Sequence, residues 1–518
     1  MNGDTSVFKD LFLQSAEKDR LAQWSQTVVD YSIANKAVSP LLTLITTCVP
    51  ICVGPSLLTL CGLAAVIQAW YFCASGAETQ ALLANSAAIL SVSLFYLLGA
   101  LDVRTAERVA GDTPVAELFR YSCGLVASPF IVSMVCMLMC QRACPEVQWY
   151  SVQTVQLVLF LKHYFAFKRE AALSYWVIGP GELLGGVVAL LVSNLVFGQE
   201  ALGNVLSSVI GKAIDPFTRY AAIPSYLQPS AADGVSALAM ARALCLTAFV
   251  GTLLVLALSG RSRPHGWTRA GLAAALALRA VASVVRLAAS GNVAGTANDA
   301  IFDGIFIAML TADILVAKMS GRGMHTWMVP MALMVFLPQW QSLTVVLAGF
   351  YFIATFCDLV MHTNLPLFQT IRNVYCDGIY DLCHMGHKNA FQSALKHGNR
   401  LFVGVVGDKD AKNYKRPPIM SAAEREREVA KCKSVTKVIQ DAPCFGLTKE
   451  FIDEHRIHVV CFGREYLERY PNPDDDPYYK VPRKMGIAVP LDRYDELSTT
   501  DIIKRVLTRG SDSKKSPT

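Results

Sequence analysis

Two histidines separated by methionine and glycine are the residues of this chain with the clearest chemical potential. His384-Met-Gly-His387 follows residues 373–376, a short apolar run that predicts a β-strand, and precedes a predicted helix. The N-terminus of such a helix offers free backbone N–H groups to phosphate, and Gly386 is predicted to allow the tight turn. The pattern therefore predicts two imidazoles facing one anion. Zinc is the less favoured alternative, because no third ligand follows at a usual spacing.

A second group of candidate anion-binding residues lies near the C-terminus. It consists of Arg493, Ser498, Thr499 and Thr500. Ser498 is a natural N-cap for a last helix over residues 498–507, and Asp501 completes a capping-box pattern. The alternative functions are therefore helix capping alone or binding of a triphosphate. Lys415 precedes two prolines and is suited to bring one cation to phosphates, although an ordinary surface charge is its alternative interpretation.

The elements that must position these residues alternate from Arg372 onwards. Predicted strands cover residues 373–376, 400–406, 437–440, 458–462 and 487–490, and predicted helices cover 388–396, 422–432, 448–455 and 498–507. Strands alternating with helices at this spacing predict a parallel, doubly wound α/β sheet. Such sheets bind ligands beyond the carboxyl ends of their strands, where the two histidines follow the first strand.

Charged residues are divided unevenly along the 518-residue chain, which is 53% hydrophobic and 17% charged. Residues 1–364 hold 41 Asp, Glu, Lys and Arg, whereas the much shorter segment 365–518 holds 47. A soluble domain is about 25% charged, so the first part is predicted to lie in lipid and the second in water. The net charge of +6 is too small to indicate nucleic-acid binding. The 15 cysteines lack disulfide or zinc spacing and fit a reducing compartment.

Nine or ten apolar segments in the first part are candidates to cross a bilayer. They are residues 56–74, 82–101, 118–140, 147–165, 173–197, 235–258, 269–289, 300–317, 327–336 with its continuation, and 342–361. Residues 5–29 predict an amphipathic surface helix. Buried charges such as Arg279, Arg286, Asp303 and Asp313 are predicted to pair with one another. The predicted domains are an N-terminal segment 1–38, a membrane domain 39–364, a soluble domain 365–510 and a flexible tail 511–518.

The segment Asp102–Gly124, DVRTAERVAGDTPVAELFRYSCG, resembles the signature of the CDP-alcohol phosphotransferases, DGxxAR, eight residues, then GxxxDxxxD. Upstream, PSLLTLCG is similar to the PNxxTxxG run of the same membrane enzymes. The family's acidic residues hold two metal ions, and only Asp102 of them remains here. The other signature positions hold, among others, Glu107, Arg120 and Gly124. The resemblance therefore implies a membrane domain that has lost its catalysis, with chance similarity among apolar helices as the alternative.

The soluble part resembles the cytidylyltransferases, especially the choline-phosphate and ethanolamine-phosphate branch. The resemblance rests on DGIYDLCHMGH, on Lys415 after Asn413-Tyr414, on the pair Glu424–Arg425 and on RYDELSTTD near the end. The run TKEFIDEHRI favours the choline enzyme. The resemblance to the cytidylyltransferases covers Arg372 to about Arg509. It implies an α/β, Rossmann-like nucleotidyltransferase domain that joins phosphocholine to CTP and releases pyrophosphate.

The resemblance also implies roles for individual residues. His384, His387 and Lys415 would be catalytic, and Mg²⁺ would arrive on the CTP phosphates with no side chain of the protein as its ligand. CTP would contact Ile379, Tyr380, His387, Lys415, Arg493, Ser498, Thr499 and Thr500. Phosphocholine would contact Asp377, Lys415, Cys444 and Tyr466. Cys444 stands where the choline enzyme has an aromatic residue, which Tyr466, Tyr470, Tyr478 or Tyr479 could replace, so the head group stays open.

The sequence as a whole predicts a multi-pass membrane protein with a cytosolic cytidylyltransferase domain that serves phospholipid biosynthesis at the endoplasmic reticulum. Its partners would be CTP, phosphocholine, the lipid bilayer and, by analogy with soluble relatives, a second copy of the chain. Three alternatives remain: an ethanolamine-phosphate enzyme, a bifunctional enzyme that also performs the phosphotransferase step, and a membrane scaffold with two degenerate domains.

Overall fold

The computed structural model divides the chain into two compact units, residues 1–369 (unit 1) and residues 370–518 (unit 2). The residues that it describes are 12–24, 29–50, 53–75, 81–108, 113–139, 145–169, 174–175, 179–198, 237–258, 266–294, 296–334, 341–363, 367–414, 417–443, 445–492 and 499–512. The division lies close to the predicted change from the apolar to the charged part of the chain.

Unit 1 is helical. Its described helices are α1 (Ser15–Ala22), α2 (Ile33–Cys48), α3 (Pro55–Ser75), α4 (Ala81–Arg108), α5 (Pro114–Met139), α6 (Pro145–Arg169), α7 (Pro180–Phe197), α8 (Ala237–Leu258), α9 (Gly266–Ser290), α10 (Ala297–Ser320), α11 (Met328–Met334) and α12 (Gln341–Thr363). Two short strands, β1 (Val29–Asp30) and β2 (Ser174–Tyr175), form a parallel pair. Helix α10 is buried along nearly its whole length and packs against α5 and α6, so it is the centre of the unit.

Eight of the described helices are long and apolar enough to cross a membrane: α3, α4, α5, α7, α8, α9, α10 and α12. Two predicted spans are not among them. The span 147–165 lies in α6, which is 25 residues long but carries the buried amides of Gln148, Gln153 and Gln156. The span 327–336 coincides with α11, whose seven residues are too few for a bilayer, and residues 335–340 lie outside the described part.

In the described part of residues 5–29, the predicted amphipathic surface helix is represented by the short helix α1, whose apolar face packs against the protein. Helix α1 has only eight residues, and Leu21 is fully buried in the main hydrophobic cluster of unit 1. The buried Lys18 ammonium donates a hydrogen bond to the Asp358 carboxylate of α12 at 2.8 Å. Helical spacing of apolar residues shows that a helix has one face to bury, but it does not show what covers that face. Here the protein covers it.

The buried charges of unit 1 are paired where the structure describes them. Asp303 forms ion pairs with Arg279 and with Arg286, and its second oxygen accepts the Trp149 indole N–H at 2.6 Å. Asp313 accepts a hydrogen bond from Arg322 at 2.6 Å. Because an isolated charge in an apolar interior costs several kcal/mol, this pairing is what allows such residues to persist there. The prediction of paired charges is confirmed for Asp303, Arg279 and Arg286.

Unit 2 contains a five-stranded sheet in its described residues. The strands are β3 (Asn373–Gly378), β4 (Arg400–Val406), β5 (Lys437–Ala442), β6 (Val459–Gly463) and β7 (Ala488–Leu491). The helices are α13 (Met385–Leu395), α14 (Asp408–Tyr414), α15 (Ala422–Ala430), α16 (Lys449–Glu454), α17 (Glu465–Arg469), α18 (Lys480–Lys484) and α19 (Thr499–Asp512). The strand order is β5-β4-β3-β6-β7 and every pairing is parallel, which confirms the predicted α/β sheet.

Strand β3 lies at the centre of the sheet. Along the chain, β4 and β5 are added on one side of it and β6 and β7 on the other. Successive residues of β3 face opposite sides of the sheet, so Val374 and Tyr375 belong to different hydrophobic clusters. Gly404 on β4 makes room for Tyr375, because a Cβ at that position would collide with the tyrosine hydroxyl. The carboxyl end of β3 is therefore the switch point at which such sheets bind ligands.

Candidate active site

The two histidines lie side by side at the start of α13. His384 is the N-cap, and its Nδ1 accepts the backbone N–H of Gly386 at 3.2 Å. His387 is in the first turn, and its ring stacks on that of His384 with centroids 3.9 Å apart and an interplanar angle of 24°. The predicted pair of imidazoles at one helix N-terminus is therefore present in the structure.

The tight turn before this helix is not at Gly386, contrary to the prediction. Gly386 belongs to α13, whereas Tyr380 and Leu382 adopt left-handed backbone conformations with φ of 54° and 55°. Such conformations cost a residue with a side chain about 1–2 kcal/mol, so the surrounding structure must hold them. The sequence does not indicate this turn, because neither tyrosine nor leucine favours a positive φ.

The side chain of Arg425 anchors that loop through hydrogen bonds to backbone carbonyl groups. This side chain is fully buried, and its guanidinium donates hydrogen bonds to the carbonyl oxygens of Ile379 at 2.7 Å, Val406 at 2.8 Å and Met420 at 3.2 Å. It also pairs with the carboxylate of Asp408 at 2.6 Å. One side chain thus joins the loop after β3, the end of β4 and the segment before α15.

The carboxylate of Asp381 anchors the same loop to the segment before α15. Its two carboxylate oxygens accept the backbone N–H groups of Ile419 and Met420, each at 3.0 Å. Its side chain is buried, so these bonds are shielded from water. The loop that ends at His384 is therefore anchored at Asp381 as well as at Ile379.

Thr499, the first residue of α19, brings the second predicted group to the histidines. His384 Nε2 lies 3.2 Å from the Thr499 hydroxyl, which in turn donates to the Asp381 carbonyl at 3.4 Å. Because Nδ1 of His384 accepts a hydrogen bond, the neutral ring carries its proton on Nε2 and donates it to Thr499. Burial lowers the pKa of His384, which favours this neutral form at pH 7.

The other predicted CTP residues have different positions. Tyr380 is buried, with its ring edge-on to His387 at 5.4 Å and its hydroxyl donating to Cys376, so only its backbone could reach a nucleotide. Ile379 packs against Val406 and Ala411. Thr500 is exposed. Four predicted residues lie outside the described part of the chain: Lys415, Cys444, Arg493 and Ser498.

A cluster of tyrosines contacts the Asp377 carboxylate of β3 through Tyr479. The Tyr479 hydroxyl donates to Asp377 Oδ1 at 3.1 Å. Tyr466 lies edge-on to both Tyr478 and Tyr479, with ring centroids 5.2 Å apart in each case. Removal from water raises the pKa of Asp377 to about 6, although the hydrogen bond from Tyr479 opposes the shift. The structure therefore brings Asp377 close to Tyr479, one of the tyrosines considered for the aromatic missing at Cys444.

The segment that carries these tyrosines is built around a buried ion pair rather than being a plain loop. Asp476 is 1% exposed, accepts the backbone N–H groups of Tyr478 and Tyr479 at 2.9 Å each, and pairs with Arg483 at 2.9 Å. Arg483 also donates to the carbonyl of Tyr470 at 2.7 Å. Nothing in the sequence distinguishes this pair, since both residues lie among other charged and polar positions.

The segment Asp102–Gly124 of unit 1, which resembles the phosphotransferase signature, contains a buried ion pair. Asp102 is fully buried in α4, accepts a hydrogen bond from the Thr59 hydroxyl and pairs with Arg120 of α5 at 3.0 Å. Glu107 is exposed, and the position of Gly124 is open, since a Cβ there would meet nothing within 4 Å. The Arg120 guanidinium thus occupies one side of the single remaining carboxylate.

A parallel sheet with histidines and a threonine at its switch point is an arrangement suited to binding a nucleotide phosphate. Comparison with known proteins agrees: residues 375–505 match the family described as Cytidylyltransferase-like. The match begins in β3 and ends in α19, so it contains both histidines and Thr499. Unit 2 therefore carries a cytidylyltransferase-like domain, and this supports a nucleotidyltransferase.

Individual relatives are similar over the same part of the chain. The ethanolamine-phosphate cytidylyltransferase of Dictyostelium discoideum is 38% identical over 136 residues, which are 26% of this chain and 37% of that protein. The choline-phosphate cytidylyltransferase A of Homo sapiens is 38% identical over 144 residues, which are 27% of this chain and 38% of that protein. The chain thus spans less than two-fifths of these relatives, and these two proteins, one from each head-group class, are equally identical to it.

Proposed function

We propose that this protein is a CTP:phosphocholine cytidylyltransferase that forms CDP-choline and pyrophosphate and is anchored in a membrane by unit 1. The observation that carries the proposal is the convergence of His384, His387 and Thr499 at the carboxyl end of β3. The equally similar ethanolamine-phosphate relatives keep phosphoethanolamine as the alternative substrate.

In the proposed reaction a phosphate oxygen of phosphocholine attacks the α-phosphorus of CTP, and the bond to the β-phosphate oxygen breaks. The protein's part is to position both substrates and to stabilise charge that develops on the phosphates. Without substrate, the Nε2–H of His384 donates its hydrogen bond to Thr499. When CTP binds, it would donate to a phosphate oxygen instead. His387 and the N-terminal N–H groups of α13 add further donors at the same point.

Two further parts of the mechanism rest on the family resemblance. Lys415, which directly follows α14, would bridge the phosphates of CTP and phosphocholine. Mg²⁺ would neutralise charge on the leaving pyrophosphate. On the same resemblance we propose that the ion is held by the CTP phosphates, and we assign it no side chain.

The head group is proposed to bind near Asp377, Tyr466 and Tyr479. A cation is attracted both by a carboxylate and by the faces of aromatic rings, and a quaternary ammonium, which cannot donate hydrogen bonds, depends mainly on the rings. The three tyrosines Tyr466, Tyr478 and Tyr479 contact one another at this place, which favours choline. A primary ammonium would instead hydrogen-bond to Asp377.

For unit 1 we propose a multi-pass anchor that places unit 2 in the cytosol at the endoplasmic reticulum. The eight long apolar helices support an anchor. We also propose that unit 1 does not catalyse phosphotransfer, because the Arg120 guanidinium sits on the one carboxylate that remains of the signature. A divalent ion needs several oxygen ligands and would be repelled by that charge.

The proposal is tested with the detergent-solubilised full chain, CTP and either radiolabelled phosphocholine or phosphoethanolamine. We expect labelled CDP-choline, with a higher kcat/KM for phosphocholine. His384→Ala and His384→Asn should both lower turnover by about 10²–10³, a loss typical for one transition-state contact. Asparagine is the matched control because it preserves the N-cap of α13, so a folded His384→Asn variant with wild-type turnover would refute the role of the imidazole.

The same preparation separates the alternative functions. Supplied with labelled CDP-choline and diacylglycerol, it should form no labelled lipid. Formation of phosphatidylcholine would replace our proposal with the bifunctional enzyme. Absence of product from both phosphorylated alcohols, in a preparation that is folded by circular dichroism, would favour the scaffold.

A further inference from the structure

Two cysteines face each other beside the histidine loop. The sulfur atoms of Cys383 and Cys432 are 3.9 Å apart, although the residues are 49 positions apart in the chain. Cys383 directly precedes His384, and Cys432 follows the C-terminus of α15. Both thiols are partly exposed, so small molecules can reach them. Neither takes part in the mechanism proposed above.

The two thiols open into a groove of about 290 Å³ with a basic rim. Lys388, Lys431 and Lys433 line it and are exposed. Glu428 is the acidic residue of the lining, and it forms an ion pair with Lys431 at 3.3 Å. Gln392 and Ser434 add neutral hydrogen-bonding groups. This combination of a dithiol and an excess of positive charge suits a small anionic molecule that reacts with thiols.

We propose that this groove is a thiol–disulfide exchange site for anionic low-molecular-weight disulfides of the oxidised-glutathione class. Such a disulfide oxidises Cys383 and Cys432 to an internal disulfide, and the new bond lowers nucleotidyl transfer. The second effect rests on the proposed function, whereas formation of the bond does not.

The exchange balances as two successive thiol–disulfide steps. The Cys432 thiolate, flanked by Lys431 and Lys433, attacks one sulfur of the small disulfide, so that a mixed disulfide forms and one thiolate leaves. The Cys383 sulfur then attacks the Cys432 sulfur, and the second small thiolate leaves. The two protons lost by the cysteines end on the two released thiols, and the small disulfide is the oxidant. Desolvation and the neighbouring Cys432 raise the pKa of Cys383 to about 12, which assigns Cys383 to the second step.

The bond would disturb the active site because of where Cys383 lies. A disulfide brings two sulfurs to about 2 Å, so this pair must close by nearly half its present separation. The loop of Cys383 is anchored at Asp381 and contains Leu382 in a left-handed conformation. The backbone that precedes Cys383 therefore has little freedom to move. The movement therefore falls on His384 and on its contact with Thr499.

The full chain incubated with oxidised glutathione, alkylated and digested without reduction should yield a peptide pair joined through Cys383 and Cys432. Turnover should fall at least fivefold as the link forms and should return on reduction with dithiothreitol. Cys432→Ser, which lies outside the proposed catalytic machinery, should keep its basal turnover and resist glutathione. Absence of the joined peptides would overturn the proposal whether or not the protein makes CDP-choline, and a complete link with full turnover would overturn the inhibition.

The basic rim is tested separately. Lys431→Gln combined with Lys433→Gln should slow oxidation by oxidised glutathione about threefold to tenfold, since steering by charge changes association rates by at least this much. Oxidation by the neutral 2-hydroxyethyl disulfide should keep its rate. Equal slowing with both reagents, or with neither, would contradict the selection of anionic disulfides.

Discussion

Replacing Arg425 with methionine removes a guanidinium that joins the loop before His384 to two other backbone segments. Methionine preserves the buried hydrocarbon stem but leaves the carbonyls of Ile379, Val406 and Met420 without that donor. A buried acceptor without a donor costs about 1–3 kcal/mol, and the full penalty falls on Val406, because the other two residues are partly exposed. With smaller penalties at the two partly exposed carbonyls and at most about 1 kcal/mol from the exposed ion pair, we expect a total destabilisation of about 3–5 kcal/mol.

Asp408→Asn is the matched control for the ion pair alone. The Asp408 side chain is 53% exposed, so its pairing with Arg425 is screened by water. An exposed ion pair contributes at most about 1 kcal/mol, and asparagine can still accept the same hydrogen bond. Arg425→Lys should be intermediate, since one ammonium cannot reach all the acceptors that a guanidinium reaches.

The assay is the temperature at which unit 2 becomes cleavable by protease within the intact, detergent-solubilised chain. For a unit of this size, 1 kcal/mol corresponds to about 2–4 °C, so Arg425→Met should lower the transition by roughly 6–20 °C and Asp408→Asn by at most about 4 °C. Equal shifts for the two variants would show that the ion pair, and not the three carbonyls, carries the stabilisation.

Three further predictions concern the site and its surroundings. Asp377 has a pKa raised to about 6, so its carboxylate becomes protonated as the pH falls through 6, and KM for phosphocholine should rise there in the wild type but not in Asp377→Asn, as initial rates at pH 5–8 will show. Thr499→Val should lower turnover about fivefold, because it removes the hydroxyl that accepts the hydrogen bond from His384. Asp476→Asn should make the segment around Tyr478 sensitive to brief proteolysis, because Arg483 would be left buried without its carboxylate; unchanged protection would contradict this.

Much of unit 2 was predictable from local patterns. The strand 400–406 has the predicted bounds, because its apolar run is buried on both faces and ends at a glycine. Thr448, the first residue of the predicted helix 448–455, caps α16, with its hydroxyl accepting the backbone N–H of Phe451 at 3.2 Å. The histidine pair was also predictable, since the two residues are only three positions apart in the turn that leads from a predicted strand into a predicted helix. Proposed roles for Lys415, Cys444, Arg493 and Ser498 remain predictions, as these residues lie outside the described part.

Contacts between distant residues depended on the fold. The amino-acid sequence by itself determined the alternation of elements, the apolar helices and the position of the histidines, because these follow from spacing over a few residues. Tertiary structure alone decided that Thr499 meets His384, that Cys432 faces Cys383 and that Leu21 of α1 packs into the main hydrophobic cluster of unit 1. The physical reason is that periodicity tells which face of an element must be covered, whereas the partner is chosen by the packing of the whole chain.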